Sequence, residues 1–100
     1  MDCPKCGRDS DFSAWLDGVS FASFRDKWIS TACPACDASY EIRLHRNGAE
    51  IGAMDGAPGP AFIPYKMHRI PGVAAQWSER VLNVRHGGRN WRFPTQRPLR

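Results

Sequence analysis

The residues of this chain with the clearest chemistry are its four cysteines. They fall as two C-x-x-C pairs, Cys3-Pro4-Lys5-Cys6 and Cys33-Pro34-Ala35-Cys36, with 26 residues between them. A C-x-x-C turn sets two sulfurs on one side of a metal and aims its backbone N–H groups at the thiolates. Two such turns complete a tetrahedral four-sulfur shell, the geometry Zn²⁺ prefers and one that also suits iron. Pro4 and Pro34 stiffen the turns, and Gly7 supplies the permissive backbone that a tight knuckle needs just past its second cysteine.

Four thiolates also fill the shell, leaving no position for water or substrate, so the expected role of the metal is structural and not catalytic. With a divalent ion the cluster carries a formal charge of about −2, which Lys5 or Arg8 can offset. Two disulfides are the competing use of these residues. The chain opens Met1-Asp2-Cys3 without a basic, apolar and small-residue signal segment, so a reducing, cytoplasmic setting is expected. There, paired cysteines are more often ligands than bridges. A redox C-x-x-C would sit beside a βαβ pattern, which this sequence lacks.

Cys3-Pro-Lys-Cys-Gly, a linker, Cys33-Pro-Ala-Cys and a strand-rich stretch together resemble the zinc-ribbon class, over residues 1–55. These two-knuckle modules occur in transcription, replication and translation proteins. One departure is Asp37, which stands where ribbons usually place Gly; Asp tolerates the left-handed backbone better than most residues. Rubredoxin, an iron electron carrier, has similar knuckles, but that family ends soon after the second one and this chain continues for 64 residues. The fold class expected is small α+β and metal-stabilised: a zinc ribbon with antiparallel β-hairpins and one or two short helices.

The elements that must position the knuckles can be read from periodicity. Ser10 or Asp11 can cap a helix in which Phe12, Trp15, Leu16 and Val19 share a face and Gly18 ends the run. Residues 27–32 read as a strand feeding the second knuckle. Tyr40, Ile42 and Leu44 alternate with Glu41, Arg43 and His45 ahead of Asn47-Gly48, a hairpin turn signal. A two-residue turn at Asn47-Gly48 sets Leu44 opposite Ile51, Ile42 opposite Ala53 and His45 opposite Glu50. Residues 56–72, rich in Pro and Gly, read as an extended connection, neither strand nor helix, pinned to the domain by Phe62, Ile63 and Tyr65.

For residues 73–94 the preferred reading is a helix over 73–80 followed by a hairpin turning at Gly87-Gly88, both packed on the same domain. In that hairpin Val84 faces Trp91 and Leu82 faces Phe93, with Arg85, Asn90 and Arg92 on the other side. The alternative extends the helix from Val73 through Val84 to an end at Gly87. Residues 95–100 read as a tail.

Charge divides the chain unevenly. Residues 1–60 carry a net of −3 and residues 61–100 a net of +7, with Glu79 the only acid among eight basic side chains in the second part. Such asymmetry points to nucleic acid or to an acidic protein surface. Arg80, Arg85, Arg89 and Arg92 are the candidate phosphate contacts, since the planar guanidinium fork suits phosphate. Trp91 could stack on an unpaired base if it is exposed, although hairpin parity directs it inward. No run approaches the ~18 apolar residues of a membrane span.

Catalytic signatures are absent: there is no H-E-x-x-H, no G-x-x-x-x-G-K-[ST] and no G-x-G-x-x-G between a strand and a helix. His45, His68 and His86 read as surface or satisfied side chains. The function expected is a small structural-zinc module, not an enzyme and with no evident small-molecule substrate, binding nucleic acid through its basic C-terminal part. An assembly module with an acidic protein partner is the alternative, and a rubredoxin-like iron carrier a third.

Overall fold

The structure is a computed structural model and describes residues 1–54 and 62–95, the side chains of 53, 54 and 62–64 excepted. In chain order its elements are α1 (Phe12–Asp17), β1 (Phe21–Ser23), β2 (Trp28–Ala32), β3 (Ser39–His45), β4 (Gly48–Met54), β5 (Phe62–Arg69), β6 (Ala74–Trp77), β7 (Val81–His86) and β8 (Arg89–Pro94). Strands β1 to β5 form one antiparallel sheet in sequence order, and β6 to β8 form a second. The described chain is therefore mostly antiparallel β with one short helix. That corrects the α+β expectation.

Helix α1 forms as its spacing predicts. Asp11 is the cap, its carboxylate accepting from the Ser13 N–H at 3.2 Å, and Gly18 closes the other end. Phe12, Trp15 and Leu16 face inward and are buried. Against them the first sheet turns Ala22, Ile29, Ile42, Ala49 and Ile51, each fully buried. The Thr31 hydroxyl donates to the Trp15 carbonyl at 2.6 Å and ties the end of the helix to β2. Val73, Leu82, Val84 and Trp91 bring the second sheet onto the same core.

Hairpin β3–β4 keeps the expected face but not the expected partners. The strands close at His45 opposite Gly48, so Leu44 meets Ala49 and Ile42 meets Ile51, two residues from the predicted register. Side chains alternate with period two, so a two-residue slip leaves every apolar residue on the same face and the pattern cannot choose between the registers. Tertiary contacts choose instead. Asn47 takes the left-handed backbone at φ 55°. Its Oδ1 accepts from the Gly72 N–H at 3.1 Å and its carbonyl from the Ile70 N–H at 2.9 Å. Gly48 then belongs to β4, where a Cβ would sit 3.0 Å from the His68 carbonyl.

Two further expectations are overturned. The connection over 56–72 contains β5, despite Pro64. That strand lies at a sheet edge and a register shift at Ile51/Gly52 pairs Lys66 and then Pro64, leaving Tyr65 without an opposite partner. An edge strand with a bulge is where a sheet tolerates a residue lacking its N–H. Residues 55–61 and the side chains of Phe62 and Ile63, part of the same expectation, lie outside the described residues. The helix over 73–80 is replaced by β6, which pairs with β7 from Ala74 opposite Arg85 to Trp77 opposite Leu82. Val73 and Trp77 fit a strand's alternation as well as a helix's i, i+4 spacing, and pairing with β7 decides. Ser78 closes that hairpin, its hydroxyl accepting from the Val81 N–H at 3.1 Å.

The second hairpin matches its predicted register: Val84 opposite Trp91 and Leu82 opposite Phe93, turning on Gly87 and Gly88 at φ 58° and 76°. Of the segment read as a tail, only Thr95 is described. Its N–H donates to the Arg80 carbonyl at 3.0 Å and its hydroxyl to the Glu79 carbonyl at 2.7 Å.

Candidate metal centre and basic sheet face

The two knuckles are near copies of one another in backbone geometry. In the first, the Gly7 N–H donates to the Cys3 carbonyl at 2.9 Å and the Cys3 N–H to the Arg8 carbonyl at 3.0 Å. In the second, Asp37 bonds to Cys33 at 2.9 Å and Cys33 to Ala38 at 2.9 Å. Both turns need a left-handed residue at the same place, supplied by Gly7 at φ 74° and by Asp37 at φ 66°. The first knuckle precedes α1. The second caps the hairpin of β2 and β3, where Ala32 pairs with Ser39.

This backbone aims its donors at sulfur. Cys3 Sγ accepts from the N–H groups of Lys5 at 3.3 Å and Cys6 at 3.4 Å; Cys33 Sγ accepts from Ala35 at 3.3 Å and Cys36 at 3.4 Å. All four sulfurs lie within 4.8 Å of one another. Cys3 and Cys36 approach to 3.6 Å, and Cys6 and Cys33 to 3.8 Å. For metal–sulfur bonds of ~2.3 Å, a regular tetrahedron has sulfurs about 3.8 Å apart. The donor set and its spacing therefore fit a single metal ion. Cys3 and Cys33 are buried on the inner side, Cys6 and Cys36 exposed on the outer.

Charge separates the four thiols. Burial raises Cys3, but the Cys6 N–H, the Tyr40 hydroxyl, the Lys5 N–H and Cys33 outweigh it and bring the thiol down to about 6. The Ala38 N–H lowers Cys36, yet burial and the neighbouring thiols prevail and push it up to about 12. Four thiolates this close repel one another, and a cation among them removes that conflict. The Tyr40 hydroxyl lies 3.4 Å from Cys3 Sγ, and burial together with Cys3 raises its own ionisation well above the usual phenol range. Sequence reasoning did not connect Tyr40 with the cluster; its inward parity on β3, four residues past Cys36, was the available signal.

The candidate arginines separate into different settings. Arg85 and Arg92 are exposed on the outward face of the second sheet, across from the buried Leu82, Val84 and Trp91. Arg85 pairs with Asn90 and Arg92 with Asn83 in the ladder, so the two guanidinium groups sit diagonally. Arg80 lies exposed in the β6–β7 turn. Arg89 shares the inward parity of Trp91 and reaches α1, binding Asp17 through two nitrogens at 2.8 and 3.3 Å. Its guanidinium carbon stands 4.5 Å from the centre of the Trp91 ring. Trp91 itself is buried, with its Nε1–H donated to Asp17 Oδ1 at 2.9 Å, so it offers no stacking surface.

His45 Nε2 lies 3.7 Å from Glu50 Oε1, and burial and Lys66 hold His68 below the ordinary imidazole range. No helix among the described residues is long and apolar enough to cross a membrane. Comparison with protein-family models, with curated proteins and with solved structures finds no match to this chain, so its function is read from the site's own geometry.

Proposed function

We propose that this protein is a small binding module whose four cysteines hold a structural Zn²⁺ and whose β6–β8 sheet binds nucleic acid. Cys3, Cys6, Cys33 and Cys36 would hold the ion, and their closed all-sulfur shell favours a role in folding over one in catalysis. The observation that carries the nucleic-acid reading is the composition of the outward sheet face. By register it presents Ala74, Gln76, Val81, Asn83, Arg85, Asn90, Arg92 and Pro94, two cations among amides with no acidic residue. Arginine forks and amides are the groups that hydrogen-bond phosphate and sugar. The face lacks the aromatic anchors that centre a protein–protein interface, which favours nucleic acid over an acidic protein.

The test is binding of the metal-loaded protein to single- and double-stranded DNA and RNA across a salt series, beside Arg85→Gln and Arg92→Gln. Affinity should fall steeply with salt, and each variant should flatten the slope by about one unit per lost phosphate contact. Absence of binding at low salt to every nucleic acid would sink the reading and turn the search to acidic proteins. A red protein containing iron would separately overturn zinc in favour of a rubredoxin-like centre.

A further inference from the structure

At the end of the second sheet, where β7 turns into β8, the surface holds a concavity of about 280 Å³ whose walls include Arg85, His86, Gly87, Gly88, Arg89 and Asn90. We propose that this concavity is a phosphate-binding site, and, resting on the nucleic-acid reading above, that it seats one backbone phosphate of the bound strand. Its volume lies just below the ~300–1,000 Å³ of ordinary ligand pockets, a size suited to a phosphate and its adjoining sugar.

Independent features converge on an anion. His86 is one wall of the cavity, and its ring is fixed there by packing edge-on against Phe12 at 5.7 Å. Gly87 and Gly88 both hold left-handed backbones, and neither N–H donates to another backbone group among the described residues. Consecutive free N–H groups at a turn are the donors from which anion-binding concavities are made.

Charge and position agree with this. Arg85 has no hydrogen-bond or ion-pair partner among the described residues, leaving its fork free. Arg89, also in the cavity wall, is held in place by its ion pair with Asp17, which does not itself line the cavity. Arg85 and Asn90 belong both to the cavity and to the outward face, so a strand lying across the sheet would pass directly over it.

The experiment is an NMR titration of the ¹⁵N-labelled, metal-loaded full chain with inorganic phosphate and, separately, with a short single-stranded oligonucleotide. Phosphate should move the Gly87 and Gly88 amides and the His86 ring, and the oligonucleotide should move the same signals in competition with it. Arg85→Gln should weaken the phosphate effect about tenfold, the loss of one charge-assisted contact. Arg92→Gln, outside the cavity, should leave the phosphate titration unchanged. If the oligonucleotide binds but these signals stay still, the phosphate site is overturned while the nucleic-acid reading stands. If phosphate moves them and no oligonucleotide binds, the site stands and the nucleic-acid reading falls. Phosphate shifts that Arg85→Gln leaves intact would also overturn the proposed site.

Discussion

Arg89 and Asp17 stand 72 residues apart, yet the guanidinium Nη2 meets the carboxylate Oδ1 at 2.8 Å. The same oxygen accepts the Trp91 indole N–H at 2.9 Å. One exposed acid at the end of α1 thus locks the helix of the cysteine-bearing part to the last strand of the second sheet.

Hydrogen bonds from Arg89 and then Trp91 hold the Asp17 carboxyl below its ordinary value of 3.8. A depressed carboxylate contributes stability that is full above the unfolded value and disappears as pH falls through the folded one. Asp17→Asn should therefore flatten the acid limb of the stability profile below pH 3.8 and shift the Trp91 indole N–H resonance. An unchanged profile together with an unmoved indole signal would contradict this role.

Metal removal should unfold the knuckles and the hairpins they join. Structural zinc contributes ~10–16 kcal/mol of apparent binding free energy in small modules, comparable with or above the whole stability of a domain this size. A strong chelator, or Cys33→Ser, should abolish the cooperative melting transition followed by Trp fluorescence. A melt unchanged by complete metal loss, checked by elemental analysis, would refute the structural role.

Asp37 occupies a left-handed position that its counterpart fills with Gly7. Asp37→Gly should preserve or tighten metal binding in a chelator competition. Asp37→Val should weaken it by about tenfold, because a β-branched side chain pays ~1–2 kcal/mol to enter that conformation. Equal affinities for the two variants would show that the knuckle does not need the left-handed backbone.

The register of β3 and β4 depends on Gly48 lying close to β5. Gly48→Ala places a Cβ 3.0 Å from the His68 carbonyl and should cost ~1–3 kcal/mol in denaturant unfolding. Amide exchange should accelerate along Met67 to Arg69. Asn47→Gly keeps the turn's backbone accessible but loses the bond to Gly72, a milder cost of ~1 kcal/mol. The reverse order of severity would favour the turn over the strand contact as the origin of the register.

Glu41 is buried on β3, and its Oε2 has no hydrogen-bond partner among the described residues. Burial pushes its carboxyl above the usual 4.5, with Arg43 opposing and Asp26 adding. A raised carboxyl favours folding when protonated, so its contribution is full below pH 4.5 and is lost as pH rises through the folded value. Glu41→Gln should stabilise the protein at neutral pH, with the advantage closing below pH 4.5. A variant less stable at neutral pH would mean that the carboxylate has a compensating partner.

The sequence by itself determined the features that rest on local rules. C-x-x-C spacing singled out the four cysteines that the fold gathers within metal-binding distance, the i, i+3, i+4 pattern located α1, and Gly87-Gly88 with its flanking alternation set the β7–β8 register. The tertiary structure alone decided what depends on distant partners. Pro64 could enter a strand only because β5 lies at an edge beside a bulge, and 74–77 became β6 only because β7 was there to pair. The close approach of Gly48 to β5, with the bonds of Asn47 to residues 70–73 beside it, chose between two registers of equal parity, and Arg89 left the other candidate arginines for an acid on α1. Periodicity states which face of an element is apolar. It is silent about which of several equivalent neighbours that face will meet, because that choice is made by the packing of the whole chain.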